Sequence, residues 1–122
     1  MHRIAGLSVL LVEDEALIAM DVSQLLANTK CRVIGPCRDV ACALEAIERE
    51  HIDCAILDVK LGREHTLHLA DALAERGVPL VWMSGYERQV LPARYRDRPF
   101  VPKPFVAQDL FDALGEAISG GR

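Results

Sequence analysis

The sequence has no apolar run approaching the roughly 20 residues that a bilayer-spanning helix requires. The short apolar stretch after Met1, His2 and Arg3 is interrupted by Glu13 and Asp14. Neither a membrane anchor nor a secretory leader is indicated, and a cytoplasmic location is expected. Basic residues are in the minority, with 14 Lys and Arg against 18 Asp and Glu and a formal charge of −4. Duplex binding draws most of its affinity from basic side chains that neutralise phosphates, so direct contact with nucleic acid is not expected. Internal repeats, low-complexity tracts and linkers rich in Gly or Ser are also missing, which leaves nothing to tether a second unit. The cysteines Cys31, Cys37, Cys42 and Cys54 fall at spacings that match no zinc pattern, and they read as small buried hydrophobes.

What is present is the composition of a soluble globular chain: 122 residues, 51% apolar and 26% charged. A chain of this length buries about two thirds of its unfolded surface around one core. A single domain over 1–122 is therefore expected, with no output domain and a frayed tail at Gly120-Gly121-Arg122. Leu7–Val12 is apolar apart from Ser8 and too short for a helix, so it reads as a buried parallel strand. From Ala16 to Asn28 the apolar residues Ile18, Val22, Leu25 and Leu26 keep helical spacing. Cys31–Cys37 gives a second strand, and Asp39 stands as N-cap of a helix carrying Val40, Ala43, Leu44 and Ile47. Cys54–Leu57 ends in Asp58, and after Lys60-Leu61-Gly62 a helix carries Leu67, Ala70, Leu73 and Ala74 until Gly77 stops it. A fourth run, Leu80–Met83, ends at Ser84, and a brief fifth, Phe100-Val101, leads to Pro102-Lys103-Pro104. A last helix aligns Leu110, Leu114, Ala117 and Ile118. Between Gly85 and Arg98 apolar residues are sparse and Pro92 intervenes, so the fourth helix is expected to be short or irregular. Strands alternating with helices of this length indicate βαβ crossovers. The fold expected is α/β, a five-stranded parallel sheet between helical layers.

The informative feature is where the strands stop. Four of the five apolar runs finish in polar groups: Glu13 with Asp14, Asp58, Ser84 and Lys103. In a parallel sheet these ends share one edge, which is where open α/β folds bind ligands. Three carboxylates gathered there repel one another unless a cation offsets them. Oxygen ligands without His or Cys suit Mg²⁺, with Mn²⁺ able to substitute, and Mg²⁺ is commonly shared between carboxylates and phosphate. Lys103 would neutralise a phosphoryl oxygen, Ser84 would donate a hydrogen bond to another, and Asp58 would be the nucleophile. Singly, each residue has an ordinary explanation as a helix cap or a solvated side chain. Five of them at the ends of four strands is a pattern that capping does not require.

With acid pair, aspartate, hydroxyl and lysine in that order, the chain resembles the receiver domains of two-component response regulators over nearly all its length. The resemblance implies a flavodoxin-like (βα)5 sandwich with strand order 2-1-3-4-5. It implies phosphoryl transfer from a phosphohistidine of a sensor histidine kinase or phosphotransfer protein onto Asp58. It also implies a Mg²⁺ held by Asp14, Asp58 and the Lys60 carbonyl, with Glu13 acting largely through water. Such a domain is a signalling phosphoacceptor that catalyses only its own phosphorylation and dephosphorylation. By the same resemblance Lys103-Pro104 is a cis peptide, Ser84 and Phe100 are the hydroxyl and aromatic switch, and Lys60 and Tyr86 tune dephosphorylation. For Phe100, ordinary strand packing competes with the switch role. Trp82-Met83-Ser84-Gly85-Tyr86 stands where a subgroup of alphaproteobacterial stand-alone receivers carries a Phe-Ala-Thr-Gly-Tyr-type motif. A monomer or weak homodimer is expected.

Three other functions fit less well. A haloacid-dehalogenase-like hydrolase needs a second Asp as general acid, and Asp58-Val59-Lys60 lacks it. A flavin carrier needs a phosphate cradle after its first strand, where Glu13-Asp14-Glu15 would repel the cofactor. A binding module that keeps the fold without turning over phosphate is the strongest rival. Arg88, Arg94, Arg96 and Arg98 form a local basic excess that reads either as solvated loop or as a docking patch.

Overall fold

The computed structural model describes residues 4–85 and 90–120. Strands β1 (Ser8–Val12), β2 (Arg32–Cys37), β3 (Cys54–Asp58), β6 (Leu80–Ser84) and β7 (Phe100–Pro102) form a five-stranded sheet in the order β2-β1-β3-β6-β7. Every pairing in this sheet is parallel. Counting only the strands of this sheet, the order is the expected 2-1-3-4-5. The helices α1 (Ala16–Asn28), α2 (Val40–Arg49) and α3 (Leu67–Glu75) lie in the crossovers, and α4 (Ala107–Gly120) follows the last strand.

The strands read as unbroken apolar runs because both faces of the sheet are covered. Side chains alternate between two cores. Leu10, Val12, Leu57, Leu80 and Trp82 face α2 and α3, while Val9, Leu11, Ile56, Val81 and Met83 face α1 and α4. Asp39 caps α2, its Oδ1 accepting from the Cys42 amide at 2.8 Å. Between β6 and β7 the described residues show 3-10 conformation at Val90 and over Ala93–Tyr95, and no regular helix. Gly120, expected in the tail, is the last residue of α4.

Some expectations need correction. A two-residue hairpin, β4 (Lys60–Leu61) with β5 (Glu64–His65), precedes α3. Its tight turn is made possible by Gly62 at φ 57°, a conformation open to glycine. The buried stripe of α3 is Leu69, Ala70 and Leu73, with Ala74 exposed. On α2 Ala43 and Ile47 are buried, and Leu44 is exposed. Of the cysteines, Cys31, Cys37 and Cys54 are buried and Cys42 is exposed. Cys42 immediately precedes the buried Ala43, and a step of about 100° around the helix takes it out of the core.

Candidate functional site

The sheet reverses its winding between β1 and β3, and the two chain ends at that switch point carry the acids. Glu13 and Asp14 follow β1, and Asp58 closes β3. One carboxylate oxygen from each of Glu13, Asp14 and Asp58 lies within 4.8 Å of the others. Glu13 is 1% exposed and Asp58 6% exposed, so neither charge is well screened by water.

Lys103, directly after β7, is the counter-charge. Its Nζ lies 2.9 Å from Asp58 Oδ2, 2.6 Å from Glu15 Oε1 and 3.1 Å from Glu13 Oε2. Glu13 Oε1 is also 2.9 Å from Nζ, but it has no hydrogen bond of acceptable geometry. That contact is a Coulombic one. The Lys103 amide donates to the Ser84 carbonyl at 2.9 Å, tying this end of β7 to β6, and the Lys103–Pro104 peptide is cis. Burial alone would lower the Lys103 pKa, but hydrogen bonds to Asp58, Glu15 and Glu13 outweigh it and hold the ammonium well above the ordinary lysine range. Burial pushes the Glu13 carboxyl up, and the Asp58 charge adds to this. The Glu15 amide and Lys103 pull the other way without cancelling it.

The remaining contacts fix the loops. Gly62 donates its amide to Asp14 Oδ2 at 2.8 Å, and Lys60 donates its amide to Asp58 Oδ1 at 3.4 Å. The Thr66 hydroxyl, fully buried, is shared between the Asp58 carbonyl at 2.7 Å and the Val59 carbonyl at 2.9 Å. A cleft of about 430 Å³, lined by Asp14, Asp58, Lys60, Gly85 and Lys103 among others, opens over the cluster. The structure thus brings Glu13, Asp14, Asp58, Lys60 and Lys103 together.

Ser84 is fully buried at the end of β6, one residue short of the lining residue Gly85. Phe100 is half-buried against the α2/α3 core, opposite Trp82 in register, and does not line the cleft. Tyr86 and Arg88 lie outside the described residues. Of the other arginines, Arg94 pairs with Asp71 at 3.1 Å, Arg96 donates to the Leu91 carbonyl at 2.8 Å, and Arg98 stacks 5.5 Å from the Tyr95 ring. These three hold the segment between β6 and β7 in place. Glu15, Gly62 and Thr66 were not picked out from sequence. The run of three acids was the one cue to Glu15, and Gly62 and Thr66 reach the site by contacts between distant positions.

The donor set suits a hard divalent ion. It is all oxygen, and octahedral Mg²⁺ at about 2.0–2.1 Å spaces its ligands roughly 3 to 4 Å apart. Only slight closure of the three carboxylates is needed to meet that spacing.

Fold and cleft place the molecule among doubly wound α/β domains with a site at the carboxyl edge of the sheet. Within that class, residues 9–115 match the model of the response regulator receiver domain, and the chain belongs to that family. It is similar to SdrG from Sphingomonas melonis Fr1, at 40% identity and a TM-score of 0.80 over 89% of this chain and 93% of that one. The receiver domain of PhyR from Erythrobacter litoralis shares the fold, at 24% identity and a TM-score of 0.82 over 94% of this chain and 92% of that one. The likeness to SdrG agrees with the subgroup resemblance of the Trp82–Gly85 segment. Transcriptional regulatory protein PdtaR of Mycobacterium tuberculosis is 33% identical over 115 residues, 91% of this chain and 56% of that protein. The chain spans about half the length of the curated relatives it matches. Among the described residues no helix is long and apolar enough to cross a membrane.

Proposed function

We propose that the chain is a phosphoacceptor that receives a phosphoryl group on Asp58 from a phosphohistidine of a sensor kinase or phosphotransfer protein. The observation that carries this reading is the position of Asp58. It ends the central strand, beneath an open cleft, with one oxygen on Lys103 and the other facing the Lys60 amide. In the transfer an Asp58 oxygen attacks phosphorus, the N–P bond breaks, and the imidazole nitrogen leaves with the electron pair. Lys103 neutralises one phosphoryl oxygen and the Ser84 hydroxyl donates to another. Asp14, Asp58 and the Lys60 carbonyl, with Glu13 acting through water, would hold Mg²⁺ or Mn²⁺, and the ion would supply positive charge beside the transferring oxygens.

The relative SdrG has a solved structure of its BeF3-activated conformation, at 38% identity to this chain, which supports a switch driven from the same pocket. In this reading Ser84 and Phe100 carry the switch, and Lys60 and Tyr86 slow hydrolysis. The domain catalyses only its own phosphorylation and dephosphorylation, in the cytoplasm, as a monomer or weak homodimer without direct nucleic-acid contact.

The test is acetyl-phosphate labelling with and without Mg²⁺, comparing wild type with Asp58→Asn. Label is expected only on wild type and only with the metal. Equal labelling of Asp58→Asn would remove Asp58 from the role, and metal-independent labelling would remove the ion. Replacing both Lys60 and Tyr86 by Ala should shorten the phosphoaspartate lifetime, and an unchanged decay would reject their part.

A further inference from the structure

Away from the acidic cleft, two thiols meet where β2 passes into α2. Cys37 is the last residue of β2 and is 2% exposed, while Cys42 lies in the first turn of α2 and is exposed. Their Sγ atoms are 2.7 Å apart, roughly 0.6–0.7 Å beyond the covalent S–S length of about 2.05 Å. The backbone on both sides is already fixed. Cys37 pairs with Val12 in the sheet, and Cys42 is held by its amide on Asp39. Closing a bond between the sulfurs therefore asks them to approach by about 0.65 Å.

We propose that Cys37 and Cys42 form a reversible dithiol/disulfide site, oxidised by a hydroperoxide and reopened by a thiol reductant. Cys42, accessible to solvent, attacks one peroxide oxygen as thiolate. The O–O bond breaks, the sulfur becomes a sulfenic acid, and hydroxide leaves. Cys37 then gives up its proton and attacks that sulfur, expelling hydroxide, which leaves as water. Two thiols and one hydrogen peroxide give one disulfide and two waters. Cys31 and Cys54 are buried, and the oxidant reaches them last. The bond would tie α2 to the end of β2 whose Cys37 carbonyl accepts the Glu13 amide at 2.9 Å. It therefore lies directly behind the acidic cluster.

The test is graded hydrogen peroxide on the folded chain, followed by alkylation in denaturant and intact mass. Wild type should lose two alkylatable thiols, become lighter by two hydrogens, and recover both with dithiothreitol. Trypsin cuts at Arg38, between the two cysteines. The linked product should therefore join the peptide holding Cys37 to the peptide holding Cys42. Cys42→Ser, an exposed change that leaves the core intact, should abolish the link. Retention of both thiols, accumulation of Cys42 oxyacids with Cys37 still alkylatable, or a bond between two chains would each overturn the proposal. Formation of the link in an Asp58→Asn background should be unchanged, which separates this site from phosphoacceptance.

Discussion

Because its ammonium touches Glu13, Glu15 and Asp58 together, Lys103 bears on stability as well as on the proposed transfer. Its side chain is 10% exposed, and two of the acids it meets are nearly buried. Removing the one cation that these three acids share leaves their charge uncompensated, at a cost of about 3 kcal/mol. Lys103→Ala should therefore lower stability by roughly that amount in urea titration at neutral pH and suppress acetyl-phosphate labelling. Asp58→Asn removes a repelling charge and should leave stability equal to or above wild type while abolishing the label. The pH dependence has a definite sign. The folded Lys103 pKa is raised, so its contribution is complete below the unfolded lysine value of about 10.4 and is lost as pH climbs through the folded value. A loss of this contribution at neutral pH would contradict the ion cluster.

At the scale of elements, two contacts hold β3 in register with its surroundings. At its start Asp53 accepts the Ser8 amide at 2.8 Å and pairs with His51, and these hold its carboxyl below the usual aspartate range, the Ser8 amide contributing most. Asp53→Asn keeps an acceptor but loses the charge, and should cost about 1 kcal/mol at pH 7. That difference is present above the unfolded value of about 3.9 and should vanish as pH falls through the folded one, which denaturation at several pH values checks. At the other end Thr66 bolts the chain after Asp58. Thr66→Val should cost roughly 1–2 kcal/mol and slow labelling, and Thr66→Ser should restore both. The elements divide into those legible in sequence and those that are not. β1, β3 and β6 announce themselves as short apolar runs because they are buried on both faces. The β4–β5 hairpin is two residues per strand, below any periodicity, and rests on a glycine turn. On α3 the apolar positions allow two stripes differing by a small rotation, and only packing against the sheet selects Leu69 over Ala74. Asp14, Asp58 and Lys103 were readable as strand-end punctuation. Gly62 was not, because its amide meets Asp14 across 48 positions of sequence.

Across the whole molecule, one strand joins the cleft to the irregular segment between β6 and β7. Trp82 is fully buried in β6, with its ring edge-on to Tyr95 at a centroid distance of 5.7 Å. Tyr95 donates its hydroxyl to Asp71 on α3 and is flanked by Arg94 and Arg98. Phe100 lies opposite Trp82 in register, and Ser84 is two residues along the same strand. Any shift of the Ser84 end of β6 toward a phosphoryl group must be absorbed by packing around Trp82, since close-packed cores rearrange discretely and do not stretch. Beryllofluoride with Mg²⁺ is therefore expected to change Trp82 emission in wild type, and Asp58→Ala should abolish the change. Phe100→Ala tests whether the aromatic takes part. If Phe100 moves with Ser84, the variant should still bind the mimic but give an altered or absent emission change. If Phe100 is only strand packing, the response should survive at wild-type amplitude, leaving Tyr95 and its Asp71 anchor as the contact through which a change at β6 reaches α3.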